Sequence, residues 1–108
     1  MISIIIPTLN SDAKLADLLD QIAGGDEEII ISDGLSVDIT LTIALDRFPR
    51  LALGCKGRGW QLARGGRWAR GEWLFFIHAD SKLPDEWRNL VANHIKRHPH
   101  KAGYFRFR

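Results

Sequence analysis

The chain has 108 residues, 45% of them apolar, which suits one domain with a single core and is too short for two. Its apolar runs, residues 2–6 and 73–77, fall far below the roughly 18–20 residues that span a bilayer, so no transmembrane helix is expected. The net charge of +2 conceals an asymmetry: residues 1–46 hold nine acids against Lys14 alone, and residues 47–108 hold fourteen bases against Glu72, Asp80, Asp85 and Glu86. A basic half of this kind predicts an anionic partner, a nucleotide diphosphate or a nucleic acid, with a solvated basic surface as the plain alternative. No basic segment followed by a long apolar run and a small-residue cleavage site opens the chain, which favours a cytoplasmic protein. Cys55 is the only cysteine, so no disulfide can form within these residues, and a buried, inert thiol is expected.

In chain order, residues 2–6 form a β-branched run closed by Pro7, predicting a strand buried on both faces. Asn10, Ser11 and Asp12 offer caps for a helix over 13–23, where Leu15, Leu18, Leu19 and Ile22 recur at helical spacing until Gly24 and Gly25 stop it. A second strand is predicted over 28–32, a turn at Asp33-Gly34, and a helix over 37–48 ended by Pro49. Residues 51–54 suit a short third strand, Gly57 and Gly59 a loop, and residues 60–69 a helix. The run 73–77 predicts a fourth strand with His78-Ala79-Asp80 at its C-terminal end, and Pro84 fits the first turn of a helix over 85–98. Residues 104–108 alternate aromatic with basic, a fifth strand. Strands alternating with helices imply right-handed βαβ units: an α/β, Rossmann-like, three-layer α/β/α fold with a mostly parallel sheet. No repeat, linker or low-complexity tract divides the chain, so residues 1–108 read as one domain.

In open α/β sheets, ligands bind outside the carboxyl ends of the strands, near the point where strand order reverses. Polar or turn-forming residues stand at every such end: Pro7, Thr8, Leu9 and Asn10; Asp33, Gly34 and Ser36; Lys56, Gly57, Arg58 and Gly59; His78 and Asp80. Turn chemistry explains any one of these clusters; four in coincidence favour a binding site.

Ile4-Ile5-Ile6-Pro7-Thr8-Leu9-Asn10 is similar to the opening strand and loop of family 2 glycosyltransferases. So is the segment 29–40, an apolar strand followed by Asp33-Gly34-Leu35-Ser36-Val37-Asp38-Ile39-Thr40, and so are Gly57-Arg58-Gly59 and Ala69-Arg70-Gly71-Glu72 ahead of His78-Ala79-Asp80. The resemblance covers nearly the whole chain and implies the nucleotide-sugar-binding half of the nucleotide-diphospho-sugar transferase (GT-A) fold, incomplete because the family's acceptor half does not follow. It implies that Pro7, Thr8 and Asn10 lie beside base and ribose, that Asp33 and Gly34 read the base (uracil in many members), and that Arg58 faces phosphate. His78-Ala79-Asp80 takes the place of the family's Asp-x-Asp, which implies Mg2+ or Mn2+ at Asp80; His78 is then a second ligand, a phosphate donor or a packed strand-end residue.

Three departures from the family pattern stand out. Ser11 replaces a frequent glutamate, and Ala63 falls where an asparagine is common, with Gln61 or Arg64 as candidate substitutes and neither assigned. The segment that would supply a general base is lacking, and Asp85 and Glu86 suit a helix start rather than catalysis. His94, His98 and His100 fit helix-terminal residues better than a metal site, and Trp60, Trp68, Trp73 and Trp87 fit core or half-buried positions better than base-stacking platforms. The expected function is an enzyme's: binding a nucleotide sugar, a UDP-sugar above all, with a divalent cation for transfer to an unknown acceptor, and no nucleic acid as partner. The alternative is an inactive truncated remnant or assembly module that forms a homodimer through its terminal edge strand.

Overall fold

A computed structural model describes residues 1–47 and 49–99. The strands are β1 (Ile2–Thr8), β2 (Glu28–Asp33), β3 (Arg50–Leu53) and β4 (Trp73–Phe76). The helices are α1 (Asp12–Ile22), α2 (Thr40–Leu45), α3 (Arg58–Trp68) and α4 (Trp87–Arg97). The four strands pair in parallel in the order β3-β2-β1-β4. The chain therefore steps outward from β1 to β3, then returns to the far side of β1, and the reversal falls between β1 and β4.

The isoleucine runs become strands because side chains alternate across the pleat and both faces are covered. Ile4, Ile6 and Ile31 point to one face and pack with Leu15, Leu18, Leu19 and Ile22 of α1, Ala44 of α2 and Trp87 of α4. Ile5, Ile30 and Ala52 point to the other, under α3. Each fully buried isoleucine contributes about 1.5–3 kcal/mol through removal from water. Gly65 lets α3 approach closely, since a Cβ there would lie 2.4 Å from Ile5 Cγ2.

Several elements differ from expectation for local reasons. Helix α2 is shorter than predicted because residues 36–38 are drawn into loop contacts and Asp38 Oδ1 accepts from Thr40 N at 2.9 Å, starting the helix there. Helix α3 begins earlier than predicted: Gly57 adopts φ 134°, a conformation that favours glycine, and Arg58 and Gly59 already lie in the first turn. Pro84 sits in a turn before α4, its carbonyl accepting from Trp87 N at 3.1 Å. Trp87 is buried and Trp73 half-buried, but Trp60 and Trp68 are 69% and 46% exposed, because α3 turns Gln61 and Gly65 toward the sheet. Cys55 is exposed in the loop after β3 rather than buried. The strand expected over 104–108 and His100 lie outside the described residues.

Part of the charge asymmetry is settled within the chain. Each of the ion pairs Arg47–Asp20, Arg50–Glu28, Arg70–Glu28 and Arg88–Glu27 joins a base of the second half to an acid of the first. Glu28 is the densest of these junctions. It stands at the N-terminal end of β2, its side chain only 5% exposed, and accepts at 2.8 Å from Ser3 Oγ, Arg50 Nη1, Arg70 N and Arg70 Nε. Burial alone would raise its carboxyl, but the backbone and side-chain hydrogen bonds of Arg70, with those of Ser3 and Arg50, outweigh it and hold the pKa down from 4.5 to about 2.

Candidate donor site at the strand ends

The C-terminal ends of β1 and β2 are joined by polar side chains. Asp33 is fully buried; its Oδ1 accepts from Thr8 Oγ1 and Ser36 Oγ, both at 2.6 Å, and its Oδ2 from Ser36 N at 2.7 Å. Gly34 N donates to Thr8 O at 2.9 Å, and a Cβ on Gly34 would stand 2.9 Å from Lys56 Cα, so glycine is required here by crowding. Asn10, at φ 50°, clasps the opposite loop: its N donates to Ser36 Oγ and its Oδ1 accepts from Val37 N, each at 2.9 Å. Ser11 N donates to Thr40 Oγ1 at 2.8 Å, and Asp38 and Thr40 are bonded through their side chains. That bond above all holds the Asp38 carboxyl below its ordinary value. The segment 33–40 is thus a latch closed over the end of β1.

Sequence reasoning expected Asp33 to read a ligand's base; in the structure its carboxylate is buried and accepts three hydrogen bonds from Thr8 and Ser36. A hydroxyl–carboxylate pairing between Thr8 and Asp33 follows from their register, since the two lie opposite each other on neighbouring strands. Pro7 lies half-buried opposite Ser32.

Across the reversal point, β4 delivers Ile77, whose N donates to Ile5 O at 3.1 Å and holds the following His78-Ala79-Asp80 beside β1. His78 and Asp80 are exposed, and Ser81 N donates to His78 O at 3.0 Å in a turn. The next segment is pinned to α1: Gln21 Nε2 donates to Leu83 O at 2.5 Å and Gln21 Oε1 accepts from Leu83 N at 3.1 Å. From the opposite face of the sheet, α3 brings Arg58 to this place, and its Nη2 lies 2.7 Å from His78 Nε2. A guanidinium only donates, so Nε2 is the acceptor here and His78 carries its proton on Nδ1. The structure therefore assembles Thr8, Asp33 and Gly34 in one group and Arg58 and His78 in another, with Asn10 and Asp80 on exposed loops flanking them.

The donor chemistry suits a hard divalent cation shared with a ligand rather than one caged by protein. Among the described residues no group of three metal-binding side chains occurs, and Asp80 offers one exposed carboxylate. A carboxylate oxygen is the kind of hard donor that Mg2+ and Mn2+ favour. His94, in the last turn of α4, and His98, just past its end, lie with ring centroids 5.4 Å apart, without a third metal-binding side chain among the described residues. Asp85 and Glu86 are exposed at the start of α4, where Glu86 is the cap position. Gln61, left unassigned by sequence, is buried between the strand ends, whereas Arg64 reaches only Cys55 O at 3.4 Å.

All-parallel pairing, helices on both faces and polar groups gathered at the reversal of strand order define a Rossmann-like α/β domain of the GT-A type. The chain belongs to glycosyl transferase family 2, whose model matches residues 3–107. It is 42% identical over 93 residues to the PGL/p-HBAD biosynthesis glycosyltransferases of Mycobacterium tuberculosis (strain ATCC 25177 / H37Ra) and Mycobacterium bovis (strain BCG / Pasteur 1173P2), covering 77% of this chain and 36% of theirs. The chain thus spans little more than a third of the length of these curated relatives. S. aureus TarS 1-349 in complex with UDP superposes with a TM-score of 0.75 at 26% identity, over 91% of this chain and 32% of that one. M. tuberculosis glucosyl-3-phosphoglycerate synthase in complex with Mn2+, UDP and phosphoglyceric acid shares the fold, with a TM-score of 0.77 at 24% identity over 88% of this chain and 38% of that one. No helix among the described residues is long and apolar enough to cross a membrane.

Proposed function

We propose that this chain is the donor-binding part of a glycosyltransferase, taking a nucleotide-diphosphate sugar, a UDP-sugar foremost, together with Mg2+ or Mn2+. The observation that carries this reading is the meeting of Arg58, in the first turn of α3, with His78 two residues before Asp80, at the reversal point beside β1. Departure of the nucleoside diphosphate leaves growing negative charge on phosphate. Arg58 and the free N–H groups of the first turn of α3 offset that charge from one side. Asp80 would hold the cation, which acts as a Lewis acid on the diphosphate when bound. His78 Nδ1–H adds a hydrogen-bond donor. The base and ribose lie over Pro7, Thr8 and Asn10, and the base reaches Asp33 by displacing Ser36 Oγ, the one of its partners that sits on a loop and can rotate away. The UDP of the TarS complex, and the UDP and Mn2+ of the glucosyl-3-phosphoglycerate synthase complex, support the choice of ligand.

Calorimetric titration with UDP and with GDP, each with and without Mn2+, tests the reading. Manganese-dependent, base-selective binding that disappears in Asp33→Ala and in Asp80→Ala is the expected outcome; unchanged affinity in both variants overturns it. The ion pairs that tie Arg47, Arg50, Arg70 and Arg88 to the chain's own acids weigh against nucleic acid as the anionic partner. A second reading, a remnant that self-associates, draws on β4, which is the edge strand among the described residues and exposes Leu74 and Phe76. Sedimentation as a monomer at high concentration removes it.

A further inference from the structure

Gln61 touches three of the segments that converge on the proposed site. It is 4% exposed and lies in the early part of α3, facing the sheet. Its Nε2 donates to Thr8 O at 2.7 Å and to Ser32 O at 2.9 Å, and its Oε1 accepts from Gly57 N at 3.1 Å. A primary amide has two N–H donors and one carbonyl, so both donors and the acceptor are engaged. Its backbone repeats the connection: Gln61 N donates to Gly57 O at 2.8 Å, and Ser32 Oγ donates to Gln61 O at 2.6 Å. Gly34 records how closely these parts fit, since a Cβ there would lie 2.9 Å from Gln61 Oε1. The residue directly before Arg58 is thereby fastened to the ends of β1 and β2.

We propose that Gln61 is the positioning residue for the phosphate side of the donor site: by locking Gly57 it sets where Arg58 stands relative to β1 and β4. This rests on the donor-site reading above. No other side chain of similar size reproduces the lock. Glutamate lacks both donors and would set a carboxylate against the Thr8 and Ser32 carbonyls; asparagine is one methylene short; methionine has the length and none of the polar groups. Without the lock the Gly57 N–H loses its buried acceptor and the first turn of α3 frays. Arg58, exposed and held otherwise only through His78, then has to be ordered by the ligand itself, which lowers affinity.

A double-mutant cycle on the full 108-residue chain separates positioning from mere structural support. UDP affinity in the presence of Mn2+ is measured for the unmodified chain, Gln61→Met, Arg58→Ala and the double variant. If Gln61 acts through Arg58, Gln61→Met weakens binding about tenfold in the unmodified background and less than about twofold once Arg58 is gone. Equal losses in the two backgrounds, or none, overturn the proposal. Should Gln61→Met fail to fold, Gln61→Asn carries the same cycle with the same outcomes. If the unmodified chain binds no UDP, the donor-site reading itself fails, and amide hydrogen exchange still judges the lock: about tenfold faster exchange at Gly57 in the variant supports it, and unchanged exchange overturns it.

Discussion

The two ends of the same parallel sheet carry buried carboxylates that do opposite things. At the N-terminal end Glu28 is met by two arginines, a serine and a backbone N–H, which closes the charge within the chain and ties β1, β2, β3 and the segment before β4 together. At the C-terminal end Asp33 is met by hydroxyls and a backbone N–H, with no arginine on it, and Arg58, His78 and Asp80 at the same end remain exposed. Backbone strain follows the same division. The two described non-glycine residues at positive φ, Asn10 at 50° and Leu35 at 66°, both lie on the loops of the C-terminal end. Left-handed backbone and exposed charged side chains thus lie together at the end of the sheet where the proposed donor would sit.

Substitutions can break this contrast. Glu28→Ala should have the largest effect on folding, about 2–3 kcal/mol, because it removes the shared acceptor of four hydrogen bonds. Chemical denaturation measures that loss, and UDP affinity of the folded fraction should stay unchanged. A comparable loss of affinity in Glu28→Ala would erase the distinction between the ends. The same carboxylate gives a pH signature. Because its pKa falls on folding from 4.5 to about 2, its stabilisation is complete above pH 4.5 and drains away as pH drops toward 2. The stability gap between the unmodified chain and Glu28→Gln should therefore narrow over that window in acid denaturation, and a gap independent of pH would count against the ion-pair account.

Smaller effects sharpen the other end. Arg58→Ala should leave stability within about 0.5 kcal/mol, as expected for an exposed side chain, while weakening Mn2+-dependent UDP binding about tenfold, or roughly 1.4 kcal/mol. Leu35→Gly should stabilise the chain by about 0.5 kcal/mol, since relief of the left-handed strain exceeds the entropy that glycine adds to the unfolded state. A thermal melt that falls rather than rises in this variant would show that the exposed Leu35 side chain contributes more than its backbone strain costs.

The sequence by itself determined the four strands of the described residues, the order of their elements and the gathering of polar residues at one end of the sheet. Isoleucine runs bounded by proline and glycine specify buried parallel strands through side-chain period alone, and polar residues directly after those strands must fall at one end of the sheet. It also carried the family, because the ordered strand-end motifs survive in linear order. Only the tertiary structure decided which polar groups are satisfied by one another. Thr8 meets Asp33 across 25 positions, Glu28 meets Arg70 across 42, and Gln61 meets Thr8 across 53. Local period carries no trace of such pairings, so Asp33 looked open, Glu28 went unnoticed and Gln61 stayed unassigned. The exposure of Trp60, the early start of α3 and the short α2 have the same origin: packing against the sheet and capture by a neighbouring loop override what each segment prefers alone.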